Sequence, residues 1–150
     1  MSAGERSVNE KLNRLVVELR RRGYRVTAQR LAIAKIVFER IKDHPSFMEI
    51  VESVRSSMPS ISPSTVYNNL QLLEQMGFIR SFDVAGETRY DDAFPHVNLV
   101  CIDTGKIIDV EAPECIEGLA KRLKMKPGDI GEIVVYARCG RGEEEASGPG

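Results

Sequence analysis

The sequence predicts an α+β chain, with a helical front half that ends in a β-hairpin and a smaller α/β unit behind it. Three observations predict this. Apolar residues recur at helical spacing in successive segments up to Gly77, with Ser, Thr and Pro at the helix starts and Gly at two of the ends. Two strand-like runs, FIRSFDV and ETRYD, then flank Ala85-Gly86. After them come short β-branched runs around a single helical stretch.

The elements follow in order. Residues 8–22 read as an amphipathic helix with Leu12, Leu15, Val16 and Leu19 on one side, ending in Arg20, Arg21 and Arg22 before Gly23. Thr27 is placed to cap a second helix, AQRLAIAKIVFERIK, which Asp43-His44-Pro45 breaks. Ser46 caps a third, FMEIVESVRSSM. A fourth runs inside SPSTVYNNLQLLEQMG, with Ser62 as N-cap, Pro63 in the first helical position and Gly77 at the close. Its inward stripe is Val66, Leu70 and Leu73, with Leu72 and Met76 alongside. Beyond the hairpin, LVC and KIIDV read as strands around a Thr104-Gly105 turn, residues 113–125 as a helix and DIGEIVVYARC as a further strand. The tail GRGEEEASGPG is small, polar and acidic, and is expected to be disordered.

Overall charge is near zero, yet its distribution is uneven. Residues 1–80 carry 13 Lys/Arg against 8 Asp/Glu, and residues 81–150 carry 8 against 14. A basic front and an acidic back fit a nucleic-acid-binding module joined to something else. The fourth helix sharpens this, because Ser64, Thr65, Tyr67, Asn68 and Asn69 stand off its apolar stripe. They offer hydroxyls and amides suited to base edges and phosphates, in place of the Glu/Lys pairs of an ordinary solvated face. Arg25 and Arg30 flank a helix N-terminus, where anions are welcome. Recognition helix plus hairpin outlines a winged helix over residues 1–92, reading double-stranded DNA. The α/β unit of residues 93–139 is too small to cover its own sheet, and a homodimer through it would solve that. A two-fold axis then implies a palindromic operator. Residues 140–150 form the tail. The start MSAGERSVNEKL has charges where a secretory core would sit, and no apolar run approaches the roughly 20 residues that cross a bilayer. The expectation is a soluble, cytoplasmic protein that meets no membrane.

RVTAQRLAI, HPSFMEI, STVYNNLQLLEQMGFI, TRYD and LVCIDTGKIIDV, in this order and spacing, resemble the ferric uptake regulator family from about Leu12 to Arg138. The resemblance implies a dimeric, metal-responsive winged-helix repressor with an α/β dimerisation domain, and some likeness to the peroxide-sensing branch. It implies that Tyr67 and Asn68 reach bases, that Arg25 approaches a minor groove, and that Gln29 and Arg30 hold phosphates. It also places regulatory metal ligands at the two histidines of the chain, His44 and His96, and at the carboxylates Asp91 and Asp109. Two imidazoles and two carboxylates suit one iron(II), manganese(II) or zinc ion per subunit better than copper(I). Asn98 stands where the family commonly has another histidine, and Asp92 is a possible substitute ligand. The family's structural zinc site uses two C-x-x-C pairs. Here Cys101 faces Thr104 and Cys139 faces Gly142 at the mate positions, so no structural zinc is expected. Cys101 and Cys139 can lie close together, where a disulfide is conceivable but disfavoured in ordinary cytosol, so the expectation is a pair of buried free thiols, with Cys115 as a small core residue.

The leading reading is a metal-dependent transcriptional repressor controlling metal homeostasis. An iron-dependent peroxide sensor of the same fold is the runner-up. A small metalloenzyme using the same His/Asp set lacks a nucleophile or paired acid–base group beside it in sequence, so no enzyme is expected. A winged-helix module that binds only protein would not need the amide-bearing helix face.

Overall fold

The computed structural model describes residues 3–94 and 96–140. The acidic tail expected from residue 140 lies outside the described residues from position 141 onward. Two compact units divide the chain, the first ending at Ala93 and the second beginning at Phe94. Among the described residues no helix is long and apolar enough to cross a membrane.

The first unit is four helices and a two-stranded sheet. Helix α1 spans Ala3–Arg21. It starts five residues before the apolar periodicity requires, since no proline precedes Val8 and a nucleated helix propagates without a buried face. Helix α2, Ala28–Arg40, begins at Thr27, whose hydroxyl accepts the Arg30 N–H at 3.1 Å. Its last expected residues tighten into a 3-10 turn over Ile41–Asp43. Helix α3, Phe47–Ser57, begins at Ser46, whose hydroxyl accepts the Glu49 N–H at 3.2 Å. Helix α4, Pro63–Gln75, begins at Ser62, which accepts from Thr65 N–H at 3.2 Å. Such caps each contribute about 1 kcal/mol. At its far end Gly77 N–H bonds Glu74 O, Phe78 N–H bonds Leu73 O, and Gly77 takes φ +79°. This double closure needs a left-handed residue, which glycine supplies without strain.

Strands β1, Ile79–Val84, and β2, Glu87–Asp92, pair antiparallel from Ile79 opposite Asp92 to Val84 opposite Glu87. The two-residue loop Ala85-Gly86 has φ +52° and +80°, the pattern of a tight turn that matches strand twist. Leu15, Leu19, Ile33, Val37, Ile50, Val54, Val66, Leu70 and Ile79 are all buried in one core that Tyr90 joins from β2. Tyr90 is buried enough that loss of hydration, helped by Glu74 and Tyr67, pushes its phenol up to about 12.

The second unit holds β3 (Val97–Cys101), β4 (Ile107–Val110), helix α5 (Pro113–Leu123) and β5 (Ile133–Ala137). Strand β3 is central, antiparallel to β4 and parallel to β5, so α5 is the crossover. The expected last strand, residues 129–139, is observed over Ile133–Ala137 only, and its first residue, Asp129, ends a 3-10 turn over Pro127–Asp129. Few large side chains are enclosed here. Val100, Cys101, Ile116 and Ala120 are buried, whereas Ile102, Leu123, Val135 and Tyr136 are exposed.

The cysteines correct the sequence reading. Cys101 and Cys139 are joined in a disulfide, with Cα atoms 5.4 Å apart, and are not free thiols. The parallel pairing of Cys101 with Ala137 is the reason, because it brings the chain after β5 beside the end of β3. Asp103 reinforces that approach, its carboxylate accepting the N–H of Cys139 and of Gly140, each at 3.0 Å. Cys115 is exposed, not a core residue, because α5 turns Ile116 and Ala120 inward. The disulfide closes a loop across a separation of 38 residues. Cys139→Ser is expected to cost roughly 2–4 kcal/mol of stability, read by urea unfolding of oxidised protein.

Candidate metal centre and nucleic-acid interface

In the first unit His44 and Asp91 meet. His44 ends the 3-10 turn in the left-handed region, at φ +48° and ψ +57°. Its Nε2 lies 3.4 Å from Asp91 Oδ1, and both side chains are nearly fully buried, at 5% and 1% exposure. The sequence folds this way because residues 44–46 are fastened to β2. Tyr90 N–H donates to Pro45 O at 3.0 Å, and Ser46 bridges to Arg89. The Arg89 guanidinium donates to His44 O at 3.3 Å, to Glu49 at 3.0 Å and to Glu87 at 3.1 Å. The ring of Phe82 packs edge-on against the imidazole, centroids 6.0 Å apart. Asp91 Oδ1 also accepts the Asp92 N–H at 2.8 Å, which fixes its rotamer.

In the second unit His96 and Asp109 meet, Nε2 to Oδ1 at 3.5 Å. His96 Nδ1 lies 2.6 Å from the carbonyl of Phe94. A carbonyl only accepts, so Nδ1 carries a proton there, and Nε2 is the nitrogen turned toward Asp109. The Phe94 ring stacks on the imidazole, centroids 4.4 Å apart. Asn98, fully buried, is the register partner of Asp109, and its Nδ2 donates to Glu132 at 2.8 Å. The alternative ligand Asp92 is engaged elsewhere. One oxygen bridges to Lys11 at 3.0 Å and the other accepts the Ala93 N–H at 2.8 Å.

Each unit thus offers one imidazole nitrogen turned toward one carboxylate oxygen, with the ring or carboxylate already oriented by a neighbour. That donor chemistry fits a borderline-to-hard divalent ion. No thiolate contributes, since the sulfurs of Cys101 and Cys139 are bonded to one another.

The residues expected to meet DNA also fall together. Arg25, Gln29, Arg30, Thr65, Asn68 and Asn69 line one shallow concavity of about 300 Å³. Ser64 and Tyr67 line the next, about 470 Å³, with Asn68 shared between the two. Arg25, Gln29, Ser64, Tyr67 and Asn68 are exposed. Asn69 differs, being half-buried with its amide donating to Thr65 O at 2.8 Å, one turn back in its own helix. Arg30 is held over the Tyr24 ring at 5.6 Å and donates to Arg25 O at 2.5 Å. Gln71 donates to the Tyr67 hydroxyl at 2.7 Å, and the Tyr67 ring meets Phe47 edge-on. Sequence reasoning missed Tyr24, Arg89 and Glu132, whose roles come from tertiary neighbours. The one local signal was the position of Tyr24 and Arg89 beside Arg25 and Tyr90.

A model of the ferric uptake regulator family matches residues 21–133. The chain belongs to the ferric uptake regulator family. It is similar to the peroxide-responsive repressor PerR of Staphylococcus aureus (strain USA300), at 31% identity over 143 residues, covering 93% of this chain and 96% of that protein. The PerR of Staphylococcus epidermidis is 28% identical over 151 residues, covering 98% and 100%. Among solved structures, the Helicobacter pylori ferric uptake regulator Fur, with three functional metal-binding sites, superposes with a TM-score of 0.68. It is 26% identical and covers 89% of this chain and 93% of its own. The Campylobacter jejuni peroxide stress regulator gives 0.61 at 30% identity, covering 73% and 84%. This ferric uptake regulator family member is therefore a metal-dependent transcriptional repressor, with a winged-helix DNA-binding domain ahead of a dimerisation domain. Family members are regulators, not enzymes; they bind DNA operators and work as dimers.

Proposed function

We propose that His44, Asp91, His96 and Asp109 hold one divalent ion per subunit, iron(II), manganese(II) or zinc, and that this ion governs operator binding. The observation that carries the reading is that the chain's two histidines are both buried, each beside a carboxylate, one pair in each unit. Ligands drawn from both units let one ion favour a single arrangement of them, by its differential affinity for that arrangement. When bound, the ion supplies charge and coordination only, so the protein is a cytoplasmic regulator without turnover.

The unit behind the winged helix is read as the homodimer contact, over residues 97–139. Its exposed Ile102, Ile108, Leu119, Val135 and Tyr136 support this, being large apolar side chains that a partner subunit would cover. The dimer axis would present two α4 helices to a palindromic operator. In each, Tyr67 and Asn68 reach base edges, Arg25 a minor groove, and Gln29, Arg30, Ser64 and Thr65 the phosphates, with Asn69 bracing the helix start. Asn68→Ala is expected to lose sequence discrimination, by roughly 1–3 kcal/mol per good base contact. Arg30→Ala is expected to weaken all DNA alike and to flatten the salt slope by about one. Fluorescence anisotropy on operator and scrambled duplexes across a salt series separates the two.

His96→Ala is expected to abolish the response of operator affinity to chelator while circular dichroism stays native, because the winged helix has its own core. A folded mutant that still binds one metal per subunit would overturn the site.

Peroxide sensing is a second reading, favoured by the likeness to the staphylococcal PerR proteins and by aspartate at position 91. Peroxide treatment of iron-loaded protein distinguishes the two. Oxygen-atom addition to the peptide carrying His44 or His96, with loss of operator binding, is the outcome for a peroxide sensor. An unmodified, DNA-bound protein is the outcome for a metal-only sensor.

A further inference from the structure

Tyr24 is an aromatic residue that neither the core nor the proposed DNA contacts account for. It lies in the irregular segment between α1 and α2, 41% exposed and outside the buried cluster of the first unit.

Its backbone is nevertheless fixed. Tyr24 N–H donates to Leu19 O at 2.9 Å, beside the Gly23 N–H bond to Arg20 O at 3.1 Å, so the residue hangs from the closed end of α1. The guanidinium of Arg30 lies over its ring, 5.6 Å from the centroid. Arg30 itself sits in the first turn of α2, where its N–H donates to the Thr27 hydroxyl at 3.1 Å. Its Nη1 reaches back to Arg25 O at 2.5 Å. One arginine is thus held at its backbone, over a ring and by a carbonyl five residues earlier.

The chemistry of that hold matters. A guanidinium has five N–H donors, and the Arg25 carbonyl accepts from one of its nitrogens. A ring face attracts the cation through its quadrupole and consumes no donor. Arg21 and Arg22 show the alternative, since their Nε atoms donate to the Glu18 carboxylate at 3.0 and 2.6 Å and their charge is met within the protein. Arg30 lines the concavity it shares with Arg25, Gln29, Thr65, Asn68 and Asn69, and among the described residues no carboxylate lines it. Tyr24 therefore steadies a long, rotamer-rich side chain without neutralising it. Ordering such a side chain on association ordinarily weakens binding, and here the ordering is done in the free protein.

We infer that Tyr24 is a positioning residue for DNA binding, holding the Arg30 guanidinium in place and at full charge for a backbone phosphate. The inference rests on the DNA-binding reading of Arg30 given above. Tyr24 acts through Arg30, so removing its ring lowers affinity while the number of phosphates neutralised, and hence the salt slope, stays the same.

The test titrates the full chain, saturated with manganese(II), against a duplex of random sequence across a salt series, with circular dichroism as folding control. Phosphate contacts carry no sequence information, so this probe reads them directly. Tyr24→Leu is expected to weaken binding by about five-fold at an unchanged salt slope. Tyr24→Phe is expected to bind like the native protein, because it keeps the ring face. Tyr24→Leu added to Arg30→Ala is expected to cost nothing further, as befits two residues acting as one. If it weakens the Arg30→Ala protein as much as the native one, Tyr24 acts independently and the positioning role is wrong. If Tyr24→Phe is as weak as Tyr24→Leu, the hydroxyl acts and the ring does not, which also overturns it. If folded Tyr24→Leu binds like the native protein while Arg30→Ala loses affinity and slope, the inference fails and the DNA-binding reading of Arg30 stands. If Arg30→Ala changes neither, both fall. Should Tyr24→Leu not fold, the Arg30 Nε–H resonance of the native protein decides. A signal displaced by the ring current of Tyr24 supports the hold, and the signal of a free arginine overturns it.

Discussion

The attachment of residues 44–46 to β2 constrains the rest of the first unit. His44 is a non-glycine residue in the left-handed region, directly before a proline, a conformation that costs on the order of 1–2 kcal/mol. It persists because its surroundings leave no other choice. Tyr90 N–H holds Pro45 O, Ser46 pairs with Arg89, and the Arg89 guanidinium grips His44 O and Glu49 together. The same stitches start α3 at Ser46, seat the root of the hairpin and bring the imidazole to Asp91. Strain, helix cap and proposed ligand pair are consequences of one joint.

The second unit solves a different problem. Three strands and one crossover helix enclose few large side chains, so it gains little from hydrophobic burial alone. Covalent closure between Cys101 and Cys139 offsets part of the deficit by restricting the unfolded chain. Apolar side chains such as Ile102 and Tyr136 stay exposed, and they are the surface on which the proposed dimer contact draws. Its interior polar groups are few and strongly directed. His96 is oriented by a carbonyl and Asn98 by a carboxylate, an arrangement chosen for position more than for stability.

Much of this was legible in the sequence where the physics is local. Thr27, Ser46 and Ser62 cap as their side chains dictate, Gly77 closes α4, and Ala85-Gly86 makes the tight turn. The family motifs carried the His44, Asp91, His96 and Asp109 set into view. What stayed hidden depends on partners distant in sequence. The disulfide follows from parallel pairing of β3 with β5, which no local pattern encodes. Cys115 points outward because α5 buries only a narrow stripe, so its periodicity misled by one position. Arg89 and Glu132 look like ordinary surface charges until the strands bring them to His44 and Asn98.

Tyr90 and Asp91 are consecutive on β2 and both buried, so the ribbon sends one to the helical core and the other to the opposite face. A slip of one residue between β1 and β2 would exchange them, driving a carboxylate into the core and a phenol toward His44. The root of the hairpin therefore tolerates no change of register, while its tip, with Glu87 and Thr88 exposed, is free of that parity. Divergence in what the wing touches can accumulate at the tip without altering where Asp91 aims. One short ribbon thus keeps an adaptable end and an invariant end, separated by the alternation of its side chains.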